Sequence, residues 1–372
     1  MRLLPTESQT MVAESARRLL GAFPIEERRK QWHGEWLGEA YRRLGDAGML
    51  ELGNPGDEDL DSVSFLVAFC IELGRSAISV PFTASAVAAA HCLSRAGLEA
   101  EAAALRSGAD VQIMALAEAG GSLMGAFEPK TRLSGNQLSG TKSVVAFAGE
   151  ASHLLVSARR DDGALCLVRI GADHSGVSLS PLDTVAGEPL YEVRLDCEIG
   201  ENAILASGNQ CVDLLNWMML RVFMAQSAIL VGGAERALEI TTEHVIQRHQ
   251  FGQPLGAFQA VQHHVANSRM RLDSARLMTY ELAWRYSEQQ EDLLAWAAET
   301  KSWVSAATGE ILRRAHELQG GISVTDEHET MLLLRRNLAE TVSWGASPEL
   351  LPLCYPLRQV PPTVQPLFEA VA

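Results

Sequence analysis

The sequence predicts a mainly helical chain with a central β domain, and three observations carry that prediction. Apolar residues recur at helical spacing up to about residue 105; short Val-, Leu- and Ser-rich runs separated by Gly, Asn and Asp follow; long helical patterns with few glycines begin at Cys211. The expected division is an N-terminal α-helical domain over 1–110, a central β domain over 111–205 and a C-terminal helical bundle domain over 206–372. A chain of 372 residues has room for two or three such units and for a large core without disulfide or metal staples.

In the first part Met11, Leu19 and Leu20 form an apolar stripe that breaks at Pro24. Trp36, Leu37, Tyr41 and Leu44 form another, with helix-stopping glycines at Gly48, Gly53 and Gly56. The weakly polar stretch from Ala77 to Leu93, interrupted by Pro81, Ser85 and His91, is short for a bilayer span and is expected to be a buried Ala-rich helix. Strands are expected at Val111 to Leu116, Val144 to Phe147, Leu154 to Ala158, Leu165 to Ile170 and Leu190 to Leu195, in the pattern of an antiparallel sheet or barrel. Three long helices are then expected from Leu214 to Gln250, Phe258 to Arg285 and Glu291 to Leu318. Val261, Val265, Leu272, Ala275 and Leu282 show the spacing, and the breaks fall at Gly252 to Gly256 and at Gly320-Gly321. Helices of this length joined by short breaks should pack as an antiparallel bundle.

Composition narrows the functional classes. Apolar residues make up 47% and charged residues 21%, the balance of an ordinary globular protein. Forty-six acidic against 31 basic side chains leave a net charge of −15, and the longest basic run is Arg28-Arg29-Lys30, so a nucleic-acid groove is not expected. A nucleotide or coenzyme A phosphate needs only a local site and stays open. The six cysteines contain no CxxC pair, which argues against a zinc ribbon, an iron–sulfur cluster or a redox dithiol and for reduced, buried thiols. Glu7 falls where a signal peptide would carry its apolar stretch, so the expectation is a cytoplasmic protein without a membrane span.

The isolated short motifs are weak. Gly140-Thr141-Lys142-Ser143 has a phosphate-loop flavour, but Thr141 separates glycine from lysine and the surroundings are strands, whereas a phosphate cradle needs a helix N-terminus. His263 and His264 are adjacent on a helix and point about 100° apart, so they cannot chelate one metal, and no metal site is expected. No GxSxG elbow, HExxH or GxGxxG occurs.

The specific signal is a pair of C-terminal segments. The first runs from Arg248 to His263 and contains Arg248-His249-Gln250-Phe251-Gly252-Gln253-Pro254-Leu255-Gly256-Ala257-Phe258-Gln259, and the second runs from Leu318 to His328, opening Leu318-Gln319-Gly320-Gly321-Ile322, followed by Leu333-Leu334-Arg335-Arg336. In this order and at these separations they resemble the acyl-CoA dehydrogenase family, and Glu72-Leu73-Gly74-Arg75 and Leu138-Ser139-Gly140-Thr141-Lys142 also fall where that family has them. The resemblance covers nearly the whole chain. It implies a helical domain, a β-barrel-like domain and a C-terminal four-helix bundle. It also implies α,β-dehydrogenation of an acyl-CoA thioester, in which a glutamate removes the α-proton and FAD takes the β-hydrogen as hydride. By that resemblance Arg248 would neutralise the FAD pyrophosphate with its planar fork, Phe251 would pack on the cofactor and Gln259 would hydrogen-bond it. Gly320 and Gly321 would let the backbone approach closely. All five would serve the FAD of a neighbouring subunit.

The chain departs from the family at the reacting end. Counting without gaps from Gly320 to the family's usual base, about two dozen residues on, reaches Trp344-Gly345-Ala346, and the alternative base position before Arg248 holds Val222. Ala117-Glu118-Ala119 and Val144-Val145-Ala146 lack the hydroxyl and the indole that would serve the flavin, and Glu317 stands where a glutamine is usual. The resemblance with these losses implies a subunit without its own catalytic glutamate. It would complete the FAD site of a paralogous acyl-CoA dehydrogenase subunit in an α2β2 heterotetramer, as in members that act on steroid side-chain thioesters. Two alternatives stay open: an enzyme with a displaced base, Glu340, four residues before Trp344 on the same helical face, or an acyl-CoA-binding scaffold without FAD. The plain reading of Glu340 is a solvated charge partner.

Overall fold

The computed structural model describes residues 5–31, 36–53, 60–120 and 124–358; Met1 to Leu4 and the helix stop expected at Gly56 lie outside the described residues. The N-terminal part holds helices α1 (Glu7–Gly21), α2 (Ile25–Lys30), α3 (Gly38–Asp46), α4 (Leu60–Ser76), α5 (Ala90–Arg95) and α6 (Glu99–Arg106). Thr6 starts α1 with a reciprocal capping box, its Oγ1 accepting from Gln9 N and its N–H donating to Gln9 Oε1. The Ala-rich stretch is not one helix from Ala77. Pro81 forces a turn, and helix begins only at Phe82, wound as a π-helix to Ala89 before α5 continues it.

The central part is a single eight-stranded sheet. Its strands are β1 (Gln112–Ala115), β2 (Arg132–Ser134), β3 (Gln137–Ala146), β4 (His153–Arg160), β5 (Leu165–Gly171), β6 (Val177–Leu182), β7 (Leu190–Glu198) and β8 (Ile204–Ser207), with a short helix, α7 (Met124–Phe127), between β1 and β2. The order is β6-β7-β3-β2-β4-β5-β8, with β1 on β4. An antiparallel sheet was expected, but β1 and β2 both run parallel to β4. They share one edge of it: β1 pairs with His153 to Val156 and β2 with Arg159 and Arg160. The chain between them must leave the sheet and return in the same direction, which is what a parallel pairing requires.

The C-terminal part is built on α8 (Asn209–Gln247), a 39-residue helix. A hairpin of β9 (His249–Gln250) and β10 (Gln253–Pro254) leads to α9 (Gln259–Ser287), α10 (Leu293–Gln319), α11 (Glu329–Val342) and α12 (Ser347–Arg358). Helix α8 packs against α4, α9, α10 and α11, and 94% of its most apolar 18-residue window is buried, so a helix long and apolar enough to cross a bilayer serves here as the core of the fold. Its crossing with α4 is backbone on backbone: a Cβ at Gly74 would lie 1.9 Å from Ile229 O, and one at Gly232 would lie 1.8 Å from Ile71 O. Arg75, beside Gly74, pairs with Glu235 and Glu239 of α8 and fixes the register of that crossing. None of the six cysteines forms a disulfide among the described residues, and all six are buried.

Candidate functional site

Two places bring chemistry-bearing residues together. The first is the end of the bundle where α8 stops. Arg248 caps α8 through its backbone N–H, 2.8 Å from His244 O, and its exposed side chain makes no ion pair among the described residues. Phe251, at the tip of the hairpin, is 91% exposed and has φ +52°, a left-handed backbone that is costly for an aromatic residue; its ring meets Phe258 edge-on at 6.2 Å. Gln259 opens α9 and is exposed. Gly320 and Gly321, also exposed, lie beside this end because Gln319 Nε2 donates to Thr241 Oγ1 of α8 at 2.7 Å. Gly320 needs its glycine for φ +68°, whereas Gly321 has an ordinary φ and nothing within 4 Å of where a Cβ would stand. Nothing in the packing of the described residues therefore accounts for Gly321. Glu317 lies along the helix surface, 2.6 Å from Arg314, so its charge is matched within the helix.

The second place is where the three parts of the chain meet. Residues from the N-terminal part (Ile78, Val80), the sheet (Ala146), the segment before β7 (Glu188) and the bundle (Gln226, Trp344) surround a pocket of about 60 Å³, far below the roughly 300 Å³ at which small-molecule sites begin. Arg336 and Glu340 of α11 line it. Arg336 donates to Ser79 Oγ at 2.8 Å, to Glu188 on the segment before β7, and to Glu340 one turn on. Glu340 also accepts from Gln226 Nε2 at 3.0 Å. Glu340 is thus not the solvated charge partner its sequence neighbours suggested: it is 9% exposed, and burial raises its pKa against the pull of Arg336, with Glu188 pushing the same way as burial.

Trp344 lies half-buried in the same pocket with φ +59°, just beyond the end of α11. The turn that places it is held from behind by Lys301 of α10, whose Nζ donates to Gly345 O at 3.1 Å and to Thr341 O at 3.3 Å. Burial lowers the Lys301 pKa to about 8. Val222 is fully buried in α8, and it is Gln226, one turn later, that reaches the pocket.

Glu118 and Lys142 are used up structurally. Lys142 Nζ donates to Glu118 Oε1 at 2.8 Å and to Ser157 Oγ at 3.1 Å, while Glu118 also accepts from the backbone of Lys130 and Thr131. This buried pair fills the gap left between β1 and β2, so Lys142 has no phosphate to meet and Glu118 no proton to take. Sequence reasoning missed Glu188, Gln226, Ser79 and Lys301; they lie far apart in the chain and belong to no motif, so only their burial together marks them.

Comparison with known proteins bears on the fold and on the family resemblance. Residues 217–348 match the family model described as acyl-CoA dehydrogenase, C-terminal domain. Over 345 residues the chain is 27% identical to acyl-CoA dehydrogenase FadE27 of Mycobacterium tuberculosis, covering 87% of this chain and 89% of that protein. Its fold is similar to the ChsE4-ChsE5 complex from Mycobacterium tuberculosis, with TM-score 0.83 and 24% identity over 97% of this chain and 100% of that one. It is also similar to a glutaryl-CoA dehydrogenase from Mycobacterium smegmatis in complex with FADH2, with TM-score 0.85 and 19% identity over 94% of each chain. The matching C-terminal domain and the relative aligned over most of both lengths make the chain similar to the acyl-CoA dehydrogenases, and its fold is theirs.

Proposed function

We propose that this chain is the non-catalytic subunit of a hetero-oligomeric acyl-CoA dehydrogenase, with an α2β2 assembly, and that it completes the FAD site of a paralogous partner. The observation that carries the reading is the contrast between its two sites. At the bundle end a guanidinium with no ion pair among the described residues, an exposed and strained phenylalanine, an exposed glutamine and a glycine that the described packing does not explain all face outward. At the three-domain junction the pocket is about 60 Å³ and its charges are paired with one another.

The residues present fit one half of FAD and not the other. The outward set suits a diphosphate and its nucleoside: Arg248 can clamp an anion bidentately, Phe251 offers a face for packing, and the Gly320-Gly321 backbone admits close approach. The junction offers the flavin neither room nor the usual donors, since Ala117, Ala119 and Ala146 carry no hydroxyl and Glu118 is held by Lys142. When bound, FAD supplies the acceptor for the hydride lost from the thioester. This chain's share is to neutralise, orient and shield the anionic end across the interface, while base and acyl pocket come from the partner. The acyl group is accordingly the partner's to select, and a steroid side chain is the class the resemblance implies. The cytoplasm is the proposed location.

Co-expression with a paralogous subunit should yield a complex with one FAD per αβ pair. A dehydrogenating homo-oligomer from this chain alone, or two FAD per pair, contradicts the reading, and a flavin-free complex points to the scaffold. Arg248→Ala should weaken FAD binding by roughly 10- to 100-fold, the value of a charge-assisted hydrogen bond of about 1.5–3 kcal/mol.

The burial and raised pKa of Glu340 favour a second reading, in which it is the base of a self-sufficient site. Glu340→Gln in the complex separates the two: unchanged turnover leaves Glu340 as the anchor of Arg336, and loss of turnover with FAD retained makes it the base.

A further inference from the structure

Gln319 ends α10 immediately before Gly320 and is 5% exposed. Its Nε2 donates to Thr241 Oγ1 of α8 at 2.7 Å, and its Oε1 accepts from Thr330 Oγ1 of α11 at 2.9 Å. Both hydroxyls are buried, at 1% and 0% exposure, and Thr241 gives its own proton to Ala237 O. One amide therefore joins three helices with both of its ends satisfied. On the other side of the turn, Ser323 Oγ donates to Gly320 O at 2.7 Å and stands 3.0 Å from His316 Nδ1.

Packing alone does not call for this arrangement. A two-glycine turn has more backbone freedom to lose than any other dipeptide, and left to itself it would have to be ordered when a ligand arrives. The two clamps remove that freedom beforehand, and preorganisation of this kind shows up as affinity. Thr241 lies seven residues before Arg248, two helical turns along the same face of α8, so the amide that fixes the glycine turn also fixes the helix that presents the arginine.

We infer that Gln319 is the positioning residue of the nucleoside-diphosphate half of the site, holding the Gly320-Gly321 backbone and the Arg248 end of α8 in register before the ligand binds. The inference rests on the proposed function, since it needs FAD to bind at this end of the bundle. Gln319 itself is turned inward and touches no ligand.

The test uses the apo complex of this chain with its partner subunit, titrated with FAD and read by flavin fluorescence, with thermal unfolding as a check on folding. Gln319→Leu keeps volume and loses both hydrogen bonds; Thr330→Val loses one hydroxyl, and Thr330→Ser restores it. Gln319→Leu and Thr330→Val should each weaken FAD binding by roughly ten-fold, with Thr330→Ser close to the parent complex. Folded Gln319→Leu and Thr330→Val complexes that bind FAD as the parent does would overturn the inference. If Gln319→Leu does not assemble, the Thr330 pair decides: equal affinity of the valine and serine variants overturns the inference, and a ten-fold difference supports it. Arg248→Ala separates the two levels. If it weakens FAD while the Gln319 and Thr330 variants do not, only this inference falls; if it too leaves FAD binding unchanged, the proposed function falls with it.

Discussion

His91 is 2% exposed, and neither of its ring nitrogens has a hydrogen-bond partner among the described residues. Burial first, and then the charges of Arg221 and Arg95, push its pKa down to about 3. The unfolded chain therefore takes up the proton first as pH falls below about 6.5, and the stability contributed by the neutral ring, complete above that pH, is lost at up to about 1.4 kcal/mol per unit down to about pH 3. Urea unfolding of His91→Leu between pH 7 and 5 should show a shallower loss of stability than the parent; parallel curves would mean that other groups carry the acid sensitivity. His91 was legible in the sequence only as an interruption of an apolar stretch, because a ring's protonation follows from what surrounds it. The same division runs through the candidate sites. Arg248, Phe251, Gln259, Gly320 and Gly321 could be named because each sits in a short contiguous segment, but their shared exposure could not. Glu340 read as a surface charge because Leu333-Leu334-Arg335-Arg336 precedes it, and only the fold shows that Arg336 turns inward and takes Glu340 with it.

At the level of elements, the three long helices were legible nearly to their ends, since period 3.6 held over 27 to 39 residues and the breaks after α8 and α10 carried glycines. Strands β2, β6 and β8 were not. Two of them are three and four residues long, and β6 is an edge strand with Pro181 in it, too exposed to show an apolar alternation. The α4–α8 crossing was also hidden, because a glycine in a helix reads as a weakness until its neighbour is known. Gly232→Ala should cost about 1–3 kcal/mol or more, since Ile71 O cannot yield without moving α4. Gly233→Ala, 3.5 Å from Gly74 O, and Gly309→Ala, with nothing within 4 Å, should be neutral or stabilising by about 1 kcal/mol. Chemical denaturation of the three variants checks this, and a similar gain in all three would show that helix propensity, rather than backbone contact, sets the outcome.

For the whole molecule the junction around Arg336 matters most. It ties α11 to Ser79 from the N-terminal part and to Glu188 on the segment leading into β7, so each part of the chain holds one end of a buried ionic cluster. Arg336→Leu would leave two buried carboxylates without their cation and should destabilise the protein by about 3–5 kcal/mol, whereas removing the exposed Arg42–Glu39 pair should leave stability essentially unchanged. Equal effects in denaturant titrations would show that the junction is wetter than its burial indicates. The sequence by itself determined the helical and β texture and the resemblance to acyl-CoA dehydrogenases, and it singled out the residues proposed to hold an anionic cofactor, because all of these are written in local period and contiguous motifs. Tertiary structure alone decided that those residues face outward while the junction is closed on its own charges. Exposure, pairing and pocket volume depend on which distant segments meet, and residues as far apart as Ser79, Glu188 and Arg336 carry no local mark of that meeting.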